Sequence, residues 1–68
     1  MSNVAIFGVG NMGSTIAHAM KSLGHNLTLA DTNMGVLDRL DIQAEKISVM
    51  NLASEARSIV QGRDIVIS

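Results

Sequence analysis

The stretch Val4-Ala5-Ile6-Phe7-Gly8-Val9-Gly10-Asn11-Met12-Gly13 decides how this chain is read. Residues 3–7 are a short, almost continuously apolar run, which suits a central parallel strand covered on both faces. The run leads straight into Gly-x-Gly-x-x-Gly. Beyond it Ile16, Ala17, Met20 and Leu23 recur at helical spacing, with Gly13 on the same face, so a helix over 11–23 is expected. Ser14, His18 and Lys21 fall on the opposite face and are expected in water. Gly24 stands where a left-handed C-terminal cap belongs. A second apolar run, Leu27-Thr28-Leu29-Ala30, then ends at Asp31, 18 residues past Gly13. A lone glycine triplet is a weak signal, but strand, glycine turn, helix, strand and terminal acid in this order form the fingerprint of a dinucleotide-binding βαβ unit.

Further along, Met34, Leu37 and Leu40 predict a second helix over 33–41, weakened by Gly35 by roughly 1 kcal/mol relative to alanine. Residues 46–50 read as a third strand. Residues 53–60 read as a third helix with Ala56, Ile59 and Val60 inward. Gln61-Gly62-Arg63 turns the chain into a fourth strand over 64–67. The alternation β-α-β-α-β-α-β argues for an α/β fold with a Rossmann-like parallel sheet and right-handed crossovers. The expected strand order is 3-2-1-4, half of a full dinucleotide-binding fold, within one domain spanning 1–68. Ligands bind at the carboxyl ends of strands where such an order reverses, and Gly8, Asp31 and Ser68 are expected at that edge.

Each residue of the turn has a physical task in this reading. Gly8 lets the chain leave the strand sharply, Gly10 leaves space for a pyrophosphate, and Gly13 lets the helix pack close to the sheet. The amides of Asn11, Met12 and Gly13 then point at the phosphates from a helix N-terminus, where the dipole favours an anion. No Gly-Lys-Ser/Thr sequence follows, so the loop is not of the Walker type. Asp31 would accept hydrogen bonds from the adenosine ribose, with Thr32 beside it. A carboxylate there repels a 2′-phosphate, and Thr32-Asn33-Met34 supplies no cation, Arg39 being a full helix away in sequence. The cofactor expected is therefore NAD, in preference to NADP.

Composition narrows the classes further. The chain has 68 residues, a formal charge of −1 and no cysteine, which excludes disulfides and thiolate zinc sites. The five basic residues are dispersed, so no footprint for nucleic acid is visible. No apolar run approaches the roughly 20 residues of a membrane span, and no secretory signal is recognisable, so a cytoplasmic protein is expected. A single aromatic residue, Phe7, leaves the core to aliphatic side chains and alanine. Met12, Met20, Met34 and Met50 read mostly as core filler, with Met12 also placed to touch a ligand. His18 reads as a solvent-facing helix residue, and His25 as part of the turn after Gly24. Asp38, Arg39 and Asp41 read as a solvated face, Asp64 as the cap or start of the fourth strand, and Asn51 as a helix cap or a neighbour of adenine. No catalytic set of Ser/His/Asp, Cys/His or paired carboxylates can be assembled, and the two histidines are too few for a metal cluster.

From Val4 to Ser68 the chain resembles the N-terminal cofactor-binding half of NAD(P)-dependent oxidoreductases. It looks most like the saccharopine dehydrogenase and lysine dehydrogenase group. The matching pieces are 6–13 in the glycine turn, Gly24-His25-Asn26-Leu27-Thr28-Leu29-Ala30-Asp31, and Gly62-Arg63-Asp64-Ile65-Val66-Ile67-Ser68. The loop Val9-Gly10-Asn11-Met12-Gly13 is also similar to those of hydroxyisobutyrate and pyrroline-carboxylate reductases. The resemblance implies cofactor roles for Gly8, Gly10, Gly13 and Asp31. It also implies that catalytic and substrate-binding parts lie outside this stretch, so that a fragment, a truncated gene product or an isolated domain is expected.

Three rival readings share these residues. A non-enzymatic nucleotide-sensing regulatory module of the potassium-transport type carries the same loop and acid. A methyltransferase binding S-adenosylmethionine fits less well, because of the third glycine and the tight early spacing. A purely structural domain would leave the turn vacant. The fourth strand would expose an apolar edge, and such edges recruit partners. A homodimer, or the remainder of a larger oxidoreductase, is the expected partner.

Overall fold

The apolar run at the head of the chain becomes β1 (Asn3–Phe7), and the glycine turn after it opens α1 (Asn11–Ser22). There follow β2 (Asn26–Asp31), α2 (Met34–Arg39), β3 (Glu45–Ser48), α3 (Leu52–Val60) and β4 (Ile65–Ile67). The computed structural model describes residues 2–50 and 52–67. The four strands form one parallel sheet in the order β3-β2-β1-β4, the order expected from the alternation of elements. β1 is central, with Val4 opposite Leu27 on one side and Ile65 on the other.

Strand alternation sorts the side chains into two cores. Val4, Ile6, Leu27 and Leu29 face α1 and α2, where they meet Val9, Ala17, Leu37 and Ile42. Ala5 and Ala30 face the other way, against Val49 and Ile59, with Phe7 and Ile47 packed at the margin. The chain moves across the sheet in one direction from β1 to β3 and returns from β3 to β4. Crossovers of one hand therefore place α3 on the face opposite α1 and α2. Small residues at the sheet surface let α3 lie close to it. Thr28, buried among them, donates its hydroxyl to Glu45 Oε1 at 3.0 Å, which Arg63 also meets at 3.3 Å.

The helix ends are well defined. α1 closes with His25 N–H on Met20 O and Gly24 N–H on Lys21 O, the paired bonds of a Schellman cap. The Asn33 side chain caps α2 by accepting from Gly35 N–H at 2.9 Å. At its other end the chain leaves the helix at Leu40, which is extended, and Lys46 Nζ donates to the freed Leu40 carbonyl. Burial of Ile42 draws the chain inward there, so α2 ends at Arg39 rather than at Asp41. At the amino edge of the sheet, Asp64 accepts from Asn3 N–H and donates its own N–H to Asn3 O, so it fastens β4 to the first residue of β1.

Several expectations are corrected. Leu23 caps α1 and faces solvent, because the Schellman turn rotates it off the buried stripe. Met12, Met34 and Met50 are exposed, Met50 almost completely at 99%, and of these four methionines only Met20 packs against the core. β3 runs over Glu45–Ser48 and leaves Met50 beyond its end. α3 begins one residue earlier than expected, and β4 begins at Ile65 because Asp64 is spent on β1. The sites expected at Asn51 and Ser68 lie outside the described residues. No helix among the described residues is long and apolar enough to cross a membrane.

Two substitutions measure how the core is divided. Leu29 is wholly buried at the centre of the larger cluster. Leu29→Ala is expected to cost about 2–5 kcal/mol, enough to unfold much of so small a domain. Met50→Ser is expected to stay within about 0.5 kcal/mol of the parent. Urea titrations followed by far-ultraviolet circular dichroism compare them, and equal midpoints for the two variants would contradict this placement of the core.

Candidate functional site

The carboxyl ends of β1 and β2 carry the site, and two contacts set its shape. The first is steric. Gly8 has φ +77°, in the left-handed region where side chains are disfavoured. It turns the chain so that its carbonyl oxygen faces Gly13, and a Cβ on Gly13 would lie 2.9 Å from that oxygen. Only a glycine lets α1 approach the turn this closely.

The second contact is electrostatic. Asp31 Oδ2 accepts from Val9 N–H at 2.7 Å, and Asp31 Oδ1 accepts from Asn33 N–H at 2.9 Å. One carboxylate thus ties the middle of the glycine turn to the start of α2. A backbone bond from Gly8 N–H to Ala30 O extends the β1–β2 pairing into the same region.

Gly10 is the N-cap of α1, with φ −93°, and no side chain caps the helix there. The first intrahelical bond is Ser14 N–H to Gly10 O, at 2.8 Å. The amides of Asn11, Met12 and Gly13 precede it and have no intrahelical acceptor. A Cβ on Gly10 would meet nothing within 4 Å, so the protein itself leaves the space above this residue open. No acidic residue stands in the first turn of α1 to oppose an incoming anion.

Beside the turn lies a cleft of about 340 Å³ between α1 and α2, lined by Val9, Gly10, Asn11, Ser14, Val36, Arg39 and Leu40. Its size is at the lower end of ligand pockets. Of the residues singled out in the sequence, Gly10 and Asn11 line this cleft. Gly8 and Gly13 form the turn beneath it, and Asp31 stands behind Val9. Met12 is 77% exposed, and neither it nor the exposed Thr32 lines the cleft.

The remaining lining residues were not legible as site residues. Ser14 was expected in water, yet it is half-buried one turn beyond Asn11 and on the same wall. Arg39 is exposed, as its reading as part of a solvated face expects, and although a full helix away in sequence it also borders the cleft. Their signal was positional: Val36, Arg39 and Leu40 follow an i, i+3, i+4 pattern on the α2 flank that faces the turn.

The comparisons with known proteins point to the same kind of domain. Residues 3–68 match the family model of the NAD binding domain of 6-phosphogluconate dehydrogenase. The chain belongs to this family. It is also 46% identical, over 55 residues, to a probable 3-hydroxyacyl-CoA dehydrogenase of Caenorhabditis elegans. That match covers 81% of this chain and 18% of the relative, so the chain spans less than a fifth of the relative's length. No solved structure matches the chain. NAD is the cofactor named for the family domain, in agreement with the preference drawn from Asp31. The narrower likeness to saccharopine and lysine dehydrogenases finds no support in either match.

The turn itself can be tested without ligand. Gly13→Ala is expected to lower stability by about 1–3 kcal/mol, since the new methyl group meets backbone that cannot yield freely. Gly10→Ala, at an ordinary φ and with open space, is expected to be neutral or stabilising by up to about 1 kcal/mol. Asp31→Ala, which leaves the Val9 and Asn33 amides without their acceptor, is expected to cost about 1–3 kcal/mol. Thermal melts read by circular dichroism rank the three, and a Gly13→Ala melt matching that of Gly10→Ala would remove the steric argument.

Proposed function

We propose that this chain binds the ADP half of NAD as the cofactor-binding portion of an oxidoreductase of the 3-hydroxyacyl-CoA dehydrogenase type. The observation that carries the reading is the open space over Gly10 beside the three first-turn amides of α1, a cradle that a side chain at position 10 would fill. The pyrophosphate would rest on the amides of Asn11, Met12 and Gly13, held by hydrogen bonds and by the positive end of the helix. Asp31, through lone pairs not used on Val9 and Asn33, would accept from the ribose hydroxyls, with Thr32 at the rim. The adenosine would occupy the cleft between Asn11, Ser14 and the α2 flank. When bound, the nicotinamide supplies hydride transfer. This chain's residues bind and orient, and none of those described is placed as an acid or base for the reaction.

The likeness to the nematode protein supports the dehydrogenase type, and the family supports the cofactor. A partner belongs to the same proposal. β4 lies at the sheet edge, with Ile65 38% and Val66 48% exposed, and an apolar edge of this kind calls for cover. Further strands of a longer oxidoreductase would provide it, and a second copy of the chain is the alternative cover.

Calorimetric titration of NAD⁺ tests the reading, since the chain has neither tryptophan nor tyrosine to report by fluorescence. Saturable binding is expected, weakened more than about tenfold in Gly10→Val and Asp31→Ala. Tighter binding of ATP than of NAD⁺ would favour the nucleotide-sensing module instead. A folded sample that shows no saturation up to roughly 1 mM NAD⁺ would defeat the proposal.

A further inference from the structure

We infer that the Met12 thioether is an oxidation site, at which a peroxide adds one oxygen and thereby weakens cofactor binding at the first turn of α1. The inference rests on the NAD-binding reading above and adds to that site a covalent modification of its rim.

The chain has no cysteine, so thioethers are its only oxidisable sulfur. The described methionines are placed unequally. Met20 packs against the larger core, whereas Met50, Met12 and Met34 are 99%, 77% and 45% exposed. Met12 and Met34 stand in the first turns of α1 and α2, and Met50 follows β3. The exposed thioethers therefore all lie at the carboxyl edge of the sheet, and exposure governs which of them a peroxide reaches.

Met12 alone of these stands among the cradle amides. It is the second residue of α1, between Asn11 and Gly13. Its side chain packs in neither core cluster and does not line the cleft. No side chain caps α1, and no acidic residue stands in its first turn. The amides of Asn11, Met12 and Gly13 thus remain open to an acceptor from outside the helix.

Oxidation supplies such an acceptor. Met12 Sδ donates a lone pair to one oxygen of hydrogen peroxide. The O–O bond breaks as the S–O bond forms, and the departing hydroxide takes up the proton of the transferred oxygen. Sulfur is oxidised by two electrons to the sulfoxide, and the peroxide is reduced to water. The sulfoxide oxygen carries partial negative charge and stands as many bonds from the backbone as the Oε1 of a glutamine. Side-chain acceptors of that length in a first turn reach free backbone donors and are favoured by the helix dipole. There the oxygen competes with a pyrophosphate for the same amides, while the helix gains an acceptor. Affinity falls without loss of the fold.

Limited treatment with hydrogen peroxide, peptide mapping by mass spectrometry and calorimetric titration of NAD⁺ test the inference. Sulfoxide is expected at Met50 and Met12 before Met34, and at Met20 last. When partly oxidised chain is passed over immobilised NAD⁺, Met12 sulfoxide is expected to collect in the unbound fraction while Met50 sulfoxide divides evenly, a comparison that needs no variant. Met12→Gln, with an acceptor oxygen at the same reach, is expected to weaken NAD⁺ about fivefold, with a thermal melt no lower than the parent's. Met12→Leu is compared only with itself before and after peroxide, and its affinity is expected not to change. Even division of Met12 sulfoxide, undiminished binding in Met12→Gln, a lowered melt in that variant, or a loss in peroxide-treated Met12→Leu equal to the parent's would each overturn the inference alone. Failure of the untreated chain to bind NAD⁺ would overturn the cofactor reading, and this inference with it.

Discussion

The approach of Gly13 to the Gly8 carbonyl is the constraint on which the rest of the molecule depends. At 2.9 Å from a would-be Cβ, it fixes how closely the first turn of α1 lies against the end of β1. That distance brings Ala17, wholly buried, onto the sheet and lets Ile16 and Met20 pack beside it. It also aims the first amides of α1 outward from the strand end rather than into the core. A looser junction would tilt α1 and separate its wall of the cleft from α2. The packing of α1 and the shape of the turn are thus consequences of one missing methyl group.

Asp31 couples these two roles from the other side. A residue read as a ribose acceptor is already a structural fastener, because its two oxygens hold Val9 and Asn33. Lone pairs remain for a ligand, so the proposed role and the structural one are compatible, but they are not separable by simple substitution. Loss of binding on removing Asp31 is therefore interpretable only beside the stability of the same variant. Gly10 is the cleaner probe, because the protein leaves its side open.

Much of the fold was legible because its signals are local and agree with one another. The β1 run, the glycine turn, the helical stripe through Ala17 and the Gly24 cap each specify their own geometry, and together they imply the sheet order. The failures share a cause. Met12, Met34 and Met50 are apolar, and apolar character alone does not say whether a residue at an element's end reaches the core. Ile42, just past a short helix, joined the core through the path of a connecting segment that no periodicity describes. The glycine turn and Asp31 were legible as a motif, whereas Ser14 and Arg39 were not. They line the cleft because two helices meet across a gap, and that relation exists only once the sheet has brought them side by side.

The bond between Asp64 and Asn3 joins residues 61 apart in sequence, at the seam where β4 meets β1. The partner of β1 on its other side arrives much sooner, with Asn26 only 23 residues beyond Asn3. A chain emerging from a ribosome can therefore assemble β1, α1 and β2 early, while the far side of its central strand stays unsatisfied until almost the whole stretch has been made. Pairings of such long sequence separation are slow to close and leave strand edges open in the interval. The strand that organises the cofactor turn is the one that waits longest for its second neighbour. Its nascent form is thus the stage at which this domain is most exposed to misassociation.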